Sequence, residues 1–485
     1  MITASFLTIL GVFLVIGLAS ATRATGHRRD YYLAEQHVSP WLVGLSAVAT
    51  NNSGYMFIGV IGYTFSAGLA AAWLMIGWIL GDFFGSLFIH RRLRGATTNT
   101  HEASYASVLA RWHGEDFAIW RRIAAVVMII FLVAYAAAQI AAGGKALQGV
   151  LGFDPRAGAV AVALMVIAYS IAGGIRASIW TDGAQSIVMV VAMTILFVVG
   201  VAGLGGIGGA ISQLNAIPGF FDLMPDDLRI AGVLGLGFFI FGWMFAGLSV
   251  VGQPHIMVRF MALDQDSHMN RARIWYYTYF TAFYLLATGV GMLSRIYMPD
   301  LMDIDPELAL PRMALELLPP VLVGVILAGI FAATMSTADS LVLSCSAALT
   351  HDLTPQRLEK PWLLKAATAG TTVVALGLAL SDNQSVFSLV ILAWSTLASA
   401  FAPLLILYAL NRRVTEPVAI GLMVGGVAIA LWWRYGLAMH NDIYEGMPGI
   451  LIPLVIGWFA SSPAQPVSVG APAGEPSGAQ QRPAE

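Results

Sequence analysis

The sequence predicts an all-α integral membrane protein of about thirteen transmembrane helices, and three observations predict it. Of its 485 residues, 58% are hydrophobic and only 11% are charged, against roughly 25% charged in soluble domains. The mean hydropathy is +0.76. Apolar runs long enough to cross a hydrocarbon core of about 30 Å recur along the chain. A formal charge of -2 offers no basic field for nucleic acid. The single cysteine, Cys345, permits neither an intramolecular disulfide nor a thiolate metal cluster.

Runs bounded by charge, glycine or proline place spans at 2–22, 40–66, 69–89, 123–147, 157–174, 179–203, 231–252, 273–294, 319–350, 362–381, 386–410, 416–436 and 447–461. The first run closes on Ala19-Ser20-Ala21, as a cleavable leader does. No charged segment precedes it and it is long enough to cross, so it reads as a retained helix. Segment 307–318 reads as a short interfacial helix. Residues 462–485, rich in Pro, Ala, Gly and Ser, read as a disordered cytoplasmic tail.

Cationic loops stay cytoplasmic, so orientation follows from Lys and Arg. Alternate loops, Arg259 among them, carry 19 cations on one side and five on the other, with Lys145 left to snorkel from a helix end. This places the N-terminus outside and the C-terminus in the cytoplasm, in a multi-pass cell-membrane protein. Acids gather on the outward side at Asp222, Asp226, Asp227, Asp300, Asp303, Asp305 and Glu307, and read as a solvated surface. Asp82, near a cytoplasmic helix end, is expected to pair with Arg91 or Arg92.

Lipid supplies no hydrogen-bond partners, so a span can unwind only where protein or a water-filled site receives the freed backbone groups. The 40–66 run carries Thr50-Asn51-Asn52-Ser53-Gly54 at its centre. Five poor helix formers at mid-membrane depth predict an unwound stretch with inward-facing carbonyls; a polar interhelical contact is the alternative. In the 319–350 run, Ala333, Thr337, Ser340 and Ser344 share one helical face. Small and hydroxyl groups there suit either close packing or the oxygen ligation of a hard monovalent cation. Five spans after the first break, residues 231–252 carry Gly232, Gly235, Gly237, Gly242 and Gly247 before Gly252-Gln253-Pro254, a relation compatible with an inverted repeat or with close packing alone.

Acids at membrane depth are costly and usually functional. Asp182, at the start of the 179–203 run, reads as a helix cap or as a gating group. Asp339, one turn past the hydroxyl pair, reads as a bond to a neighbouring helix or a coupling group. Enzyme signals are poor: all nine histidines fall in loops or at helix margins, and the Gly205–Gly209 cluster lacks a phosphate-loop lysine.

Four motifs in order resemble the sodium/solute symporter family: Asn51-Asn52-Ser53-Gly54; Gly173-Gly174 through Arg176 to Trp180-Thr181-Asp182 and Gln185; Gly252-Gln253-Pro254-His255 through Arg259-Phe260-Met261; and Met335-Ser336-Thr337-Ala338-Asp339-Ser340. The resemblance spans about 25–415 and implies a LeuT-like five-plus-five inverted repeat. Its repeats would be 40–203 and 231–411, with a peripheral helix at 1–22 and two more at 416–461. It implies alternating access without a cofactor, with Na+ as the co-transported ion held by the carbonyls of Ala49, Asn52 and Ala333 and the hydroxyls of Ser336 and Thr337. It puts Asp182 near the sodium exit, and Tyr135 and Gln139 against the solute.

Proline transporters of the family place an aspartate where Asn51 stands and aromatic residues where Ala246 and Val250 stand. The solute pocket is therefore remodelled, with Asn51, Ser53, Gly54, Tyr55, Trp243 and Gln253 as further candidate contacts. The retained neutral-oxygen site implies one sodium per solute. The solute stays open among proline, another small amino acid, a small carboxylate, a sugar and a vitamin. A membrane sensory module without transport and a channel are the competing classes.

Overall fold

The computed structural model describes residues 1–21, 28–170, 174–225, 228, 230–353, 361–381 and 385–464. Arg23, Gly173, Asp226, Asp227, Arg229, Arg357, Lys360, Arg482 and tail residues 465–485 lie outside them.

Each expected span falls on a helix. In order these are Ile2–Ala21, Pro40–Gly54 continued by Ile61–Ala67, Ala72–Thr100, Ala118–Leu151, Pro155–Ser170, Gly174–Gly203, Gly232–Leu248, Met269–Tyr297, Pro320–Ala347, Pro361–Ala379, Val386–Ala409, Glu416–Leu431 and Gly446–Ala460. Among the described residues, eight continuous helical stretches are long and apolar enough to cross a membrane. The expected interfacial segment is the helix Ala309–Leu317. Hydropathy gave no sign of the short helices Arg28–Leu33, Tyr105–Ala110 and Pro254–Met261, which are too short or too polar to form a run.

The core is apolar, and unlike that of a water-soluble fold the surface is rich in large apolar side chains as well. Phe88, Leu164, Leu285 and Phe459 face outward, while Asn52, Asp82, Gln139, Gln185, His255 and Arg259 are buried. Glycine makes the closest helix crossings. A Cβ at Gly81 would fall 1.7 Å from the Met244 carbonyl oxygen, and one at Gly247 1.9 Å from that of Trp78. The helices Ala72–Thr100 and Gly232–Leu248 thus meet backbone to backbone, the small-residue packing that lipid-embedded helices use. The first helix packs the same way: a Cβ at Gly324 would meet the Ser5 hydroxyl at 1.9 Å, and Phe6 meets Phe331 edge-on at 4.9 Å.

Several expectations are corrected. Residues 462–463 are not tail but a short antiparallel pairing with Arg412–Arg413, because the Arg412 guanidinium stacks on Trp458 at 4.6 Å and donates to the Ser461 carbonyl at 2.7 Å. Glu307 is no solvated acid. It is buried, binds Lys145 at 2.6 Å, and accepts from the Phe387 amide at 3.1 Å, which caps the Val386–Ala409 helix. Lys145 is therefore paired, to Asp305 as well at 2.8 Å, rather than snorkelling. His90 lies inside the Ala72–Thr100 helix against Phe260, with ring centroids 3.9 Å apart, and His255 is fully buried.

Candidate cation and solute site

The helix Pro40–Gly54 runs regularly through Asn52 and breaks at one residue: Ser53 has φ 48° and ψ -178°. That region is close to glycine-only, and a serine held there is strain of the kind found at functional sites. The break is thus confined to Ser53, narrower than the unwound Thr50–Gly54 stretch expected. Beyond it, the Tyr55 amide turns back to the Asn52 carbonyl and to the Ser53 hydroxyl at 3.1 Å. Gly54 is required by proximity: a Cβ there would sit 2.7 Å from Thr334 Cγ2 and 2.8 Å from Ala142 Cβ.

The helix Pro320–Ala347 lies against this break. The Thr337 hydroxyl donates to the Thr50 carbonyl at 2.8 Å, and the Thr50 and Ser336 hydroxyls are 3.5 Å apart. Ala49, Asn52, Ala333, Ser336 and Thr337 are all fully buried along this contact, and neither amide atom of Asn52 has a hydrogen-bond partner among the described residues. The contact is a cluster of neutral carbonyl and hydroxyl oxygens, the donor set a hard monovalent cation takes. Thr50, through both its carbonyl and its hydroxyl, is the member that sequence reading passed over. Its side chain was legible only as one of five polar residues.

Asp182 is not a helix cap. It lies more than two turns inside the helix Gly174–Gly203 and is buried with Arg259. The pair is 3.1 Å apart, and the Ser46 hydroxyl donates to the same carboxylate oxygen at 2.6 Å. Arg259 also donates to Ser46 at 3.0 Å, to Ser178 at 3.1 Å, and to the Ser340 hydroxyl and His255 carbonyl. The ion pair joins four chain segments next to the oxygen cluster, through Ser46 on one helix and Ser340 on the other. Arg259, counted from sequence as a loop cation, is instead wholly buried because its pairing with Asp182 compensates desolvation. Asp339 is buried and faces Tyr31 of the helix Arg28–Leu33.

On the other side of the break, Tyr135 donates to the Ser53 hydroxyl at 3.3 Å, and the Gly54 amide donates to Gln139 Oε1 at 2.8 Å. Gln139 Nε2 has no partner among the described residues. His255 stands edge-on to Tyr135, with centroids 5.4 Å apart, and to Trp394 at 6.5 Å. Gln253 donates to the Trp394 carbonyl at 2.9 Å. The structure thus gathers Ser53, Gly54, Tyr135 and Gln139, and adds Trp394 and His255, the latter expected from sequence only as part of a motif and not as a contact. Asn51 engages Tyr276 instead, its amide donating to the phenol oxygen at 2.5 Å. Trp243 belongs to an aromatic stack between Trp78 at 6.0 Å and Tyr444 at 5.8 Å.

That stack floors a cavity of about 600 Å³ lined by Tyr63, Trp243, Phe387, Tyr444, Arg434 and loop residues 217–220, 222 and 224–225. On the far side of Ser340 the space shrinks to about 30 Å³ between Tyr31, Tyr105 and Ser344, room for about one water. The wide cavity lies beside the break, since Phe387 of its wall meets the Tyr55 ring at 5.3 Å.

The sodium:solute symporter family model matches residues 31–426. The chain belongs to the sodium:solute symporter family. A high-affinity proline transporter PutP of Bacillus subtilis is 30% identical over 466 residues, 92% of this chain and 96% of that protein. A sodium/proline symporter of Staphylococcus aureus is 28% identical over 474 residues, 93% and 90% of the two chains. Among solved structures, the substrate-bound outward-open state of a Na+-coupled sialic acid symporter aligns with TM-score 0.80 at 19% identity, covering 96% of this chain and 99% of that one. Mhp1, a nucleobase-cation-symport-1 transporter in a closed conformation, aligns with TM-score 0.56 at 13% identity over 89% and 93%. The protein is a membrane transporter and not an enzyme, and it couples movement of a small solute to Na+ as co-transported ion.

Proposed function

We propose that this symporter imports a compact zwitterion, with proline the first candidate, by alternating access around the Ser53 break. The observation that carries the reading is the hydroxyl of Thr337 donating to the Thr50 carbonyl beside that break. Sodium held there by the carbonyls of Ala49, Asn52 and Ala333 and the hydroxyls of Ser336 and Thr337 ties the broken helix to its neighbour. It thereby favours the conformation whose wide cavity admits solute. Ion and solute are coupled because each binds that conformation better than the other one. A membrane potential supplies roughly 2.3 kcal/mol per charge per 100 mV.

The solute sits among Ser53, Gly54, Tyr135 and Gln139, with Trp243 and Gln253 supporting the walls. The free Gln139 amide suits a carboxylate, and backbone carbonyls released at Ser53 suit an ammonium group. Proline is the named substrate of the Bacillus and Staphylococcus relatives. Where the family's proline transporters carry rings at 246 and 250, the Trp394 indole supplies one from another helix, donating to the Ala246 carbonyl at 2.9 Å. Inward release follows opening of the Asp182–Arg259 pair, with Asp339 beside the exit.

The helices form thirteen crossings arranged as a LeuT-like five-plus-five inverted repeat, 40–203 and 231–411. The N-terminus is outside and the C-terminus cytoplasmic, so the wide cavity opens outward. The test is uptake of radiolabelled proline into proteoliposomes under an inward sodium gradient, with potassium as control. Sodium-dependent, saturable accumulation supports the reading. Sodium-dependent accumulation of a different solute, with proline inert, overturns the substrate assignment.

A further inference from the structure

We propose that Asp82 is a proton-binding site joined to the cation-binding segment through Tyr276 and Asn51, so that protons and sodium compete for the transporter. The inference rests on the sodium reading above and adds a second ligand to it.

Asp82 is wholly buried in the helix Ala72–Thr100. It does not pair with Arg91 or Arg92, as its position in the sequence suggests. Tyr276 donates to its Oδ2 at 2.7 Å and Tyr277 to its Oδ1 at 3.0 Å. No Lys, Arg or His among the described residues comes within ion-pair distance of it. Acids in this setting, at membrane depth and satisfied by neutral donors alone, form the proton relays of pumps and transporters.

The connection to the cation site runs through Tyr276. Its phenol donates to Asp82 and accepts from Asn51 Nδ2 at 2.5 Å, while Asn51 Oδ1 has no partner among the described residues. This chain has two self-consistent polarities. With Asp82 ionised, hydrogen bonds run from Asn51 to Tyr276 to Asp82. When Asp82 Oδ2 takes a proton from water, it donates to Tyr276, which then donates to Asn51 Oδ1 once the amide has turned over, and no other bond changes. Asn51 is flanked by Thr50, whose carbonyl receives Thr337, and by Asn52. Protonation thereby turns the Asn51 amide over, so that Nδ2 replaces the free Oδ1 on the side away from Tyr276, and this reversed dipole, relayed through Tyr276, weakens the hold on a cation.

Other charged and titratable groups around Asp82 are few. The helix Met269–Tyr297 offers Tyr276, Tyr277, Tyr284 and Arg273, whose guanidinium is engaged by the Ser86 carbonyl at 2.5 Å. The helix Gly232–Leu248 has no titratable side chain. The helix Pro254–Met261 has His255, which faces Tyr135, and Arg259, which is committed to Asp182. The broken helix contributes Asn51 alone through its side chain.

The test is sodium titration of the full-length protein in lipid nanodiscs, read by tryptophan fluorescence with potassium as control, from mildly acidic to mildly alkaline buffer. Half-saturating sodium is expected to fall by roughly fivefold or more as pH rises, the lower end of linkage between sites. Asp82→Asn, which mimics the protonated acid, is expected to fix the weak value at every pH. Tyr276→Phe keeps the acid but cuts the chain, and is expected to flatten the dependence, whereas Tyr277→Phe keeps it. A pH-independent half-saturation in the parent, or an Asp82→Asn or Tyr276→Phe variant with the parent slope, overturns the proposal. Loss of any sodium response at every pH would instead sink the sodium reading, and the linkage with it.

Discussion

Replacing Ser336 by Ala together with Thr337 by Val separates a ligating role from a packing one by magnitude. The Thr337 hydroxyl sits 2.8 Å from the Thr50 carbonyl and the Ser336 hydroxyl 3.5 Å from that of Thr50. As interhelical bonds in a membrane, two such contacts contribute about 0.6 kcal/mol each, which lowers stability slightly and leaves sodium affinity within about tenfold. As cation ligands they contribute about 1.5–3 kcal/mol each. Together that is about 3–6 kcal/mol, or roughly 10²- to 10⁴-fold in half-saturating sodium. Valine keeps the branched shape of Thr337, so helix packing is preserved and insertion is expected to be normal. The assay is sodium-induced thermal stabilisation in detergent, run beside sodium-driven uptake. A double variant whose half-saturating sodium stays within about tenfold of the parent refutes the oxygen-cluster argument.

Gly54→Ala would press a methyl group against Thr334 and Ala142, so a loss of about 1–3 kcal/mol is expected as a lower melting temperature. An unchanged melt would mean that the two helices part freely. For the buried pair, Asp182→Asn or Arg259→Met alone is expected to cost about 3–5 kcal/mol, and the double variant less than the sum, by thermal unfolding in a double-mutant cycle. Additive losses would show that the two side chains act apart. Orientation is open to direct labelling because Cys345 is buried. Asp303→Cys is expected to react with an impermeant maleimide on intact cells and Glu115→Cys only after lysis; the reverse pattern inverts the topology.

The spans were legible in the sequence because lipid leaves a chain little choice but helix, and apolar length alone then marks each one. The break was legible for a related reason: Thr50 to Gly54 is too polar to sit unremarked in an apolar run. Its extent was overestimated, since propensity is a sum over residues while Ser53 alone carries the non-helical geometry. The hydroxyl face of Thr337 and Ser340 was readable from helical spacing, whereas its target carbonyl was not. Terminal capping was the wrong account of Asp182, because the sequence did not reveal that its helix begins at Gly174.

By itself the sequence determined a helical membrane transporter with a polar break in one span and a hydroxyl stripe on another, since hydropathy, periodicity and motif order are all local properties of the chain. Only the tertiary structure decided which polar groups meet. Arg259 reaches Asp182 across 77 residues, Tyr276 reaches Asn51 across 225, and Tyr276 reaches Asp82 across 194. A buried charge or amide must find its partner wherever the fold brings one, and nothing in a local window says where that will be.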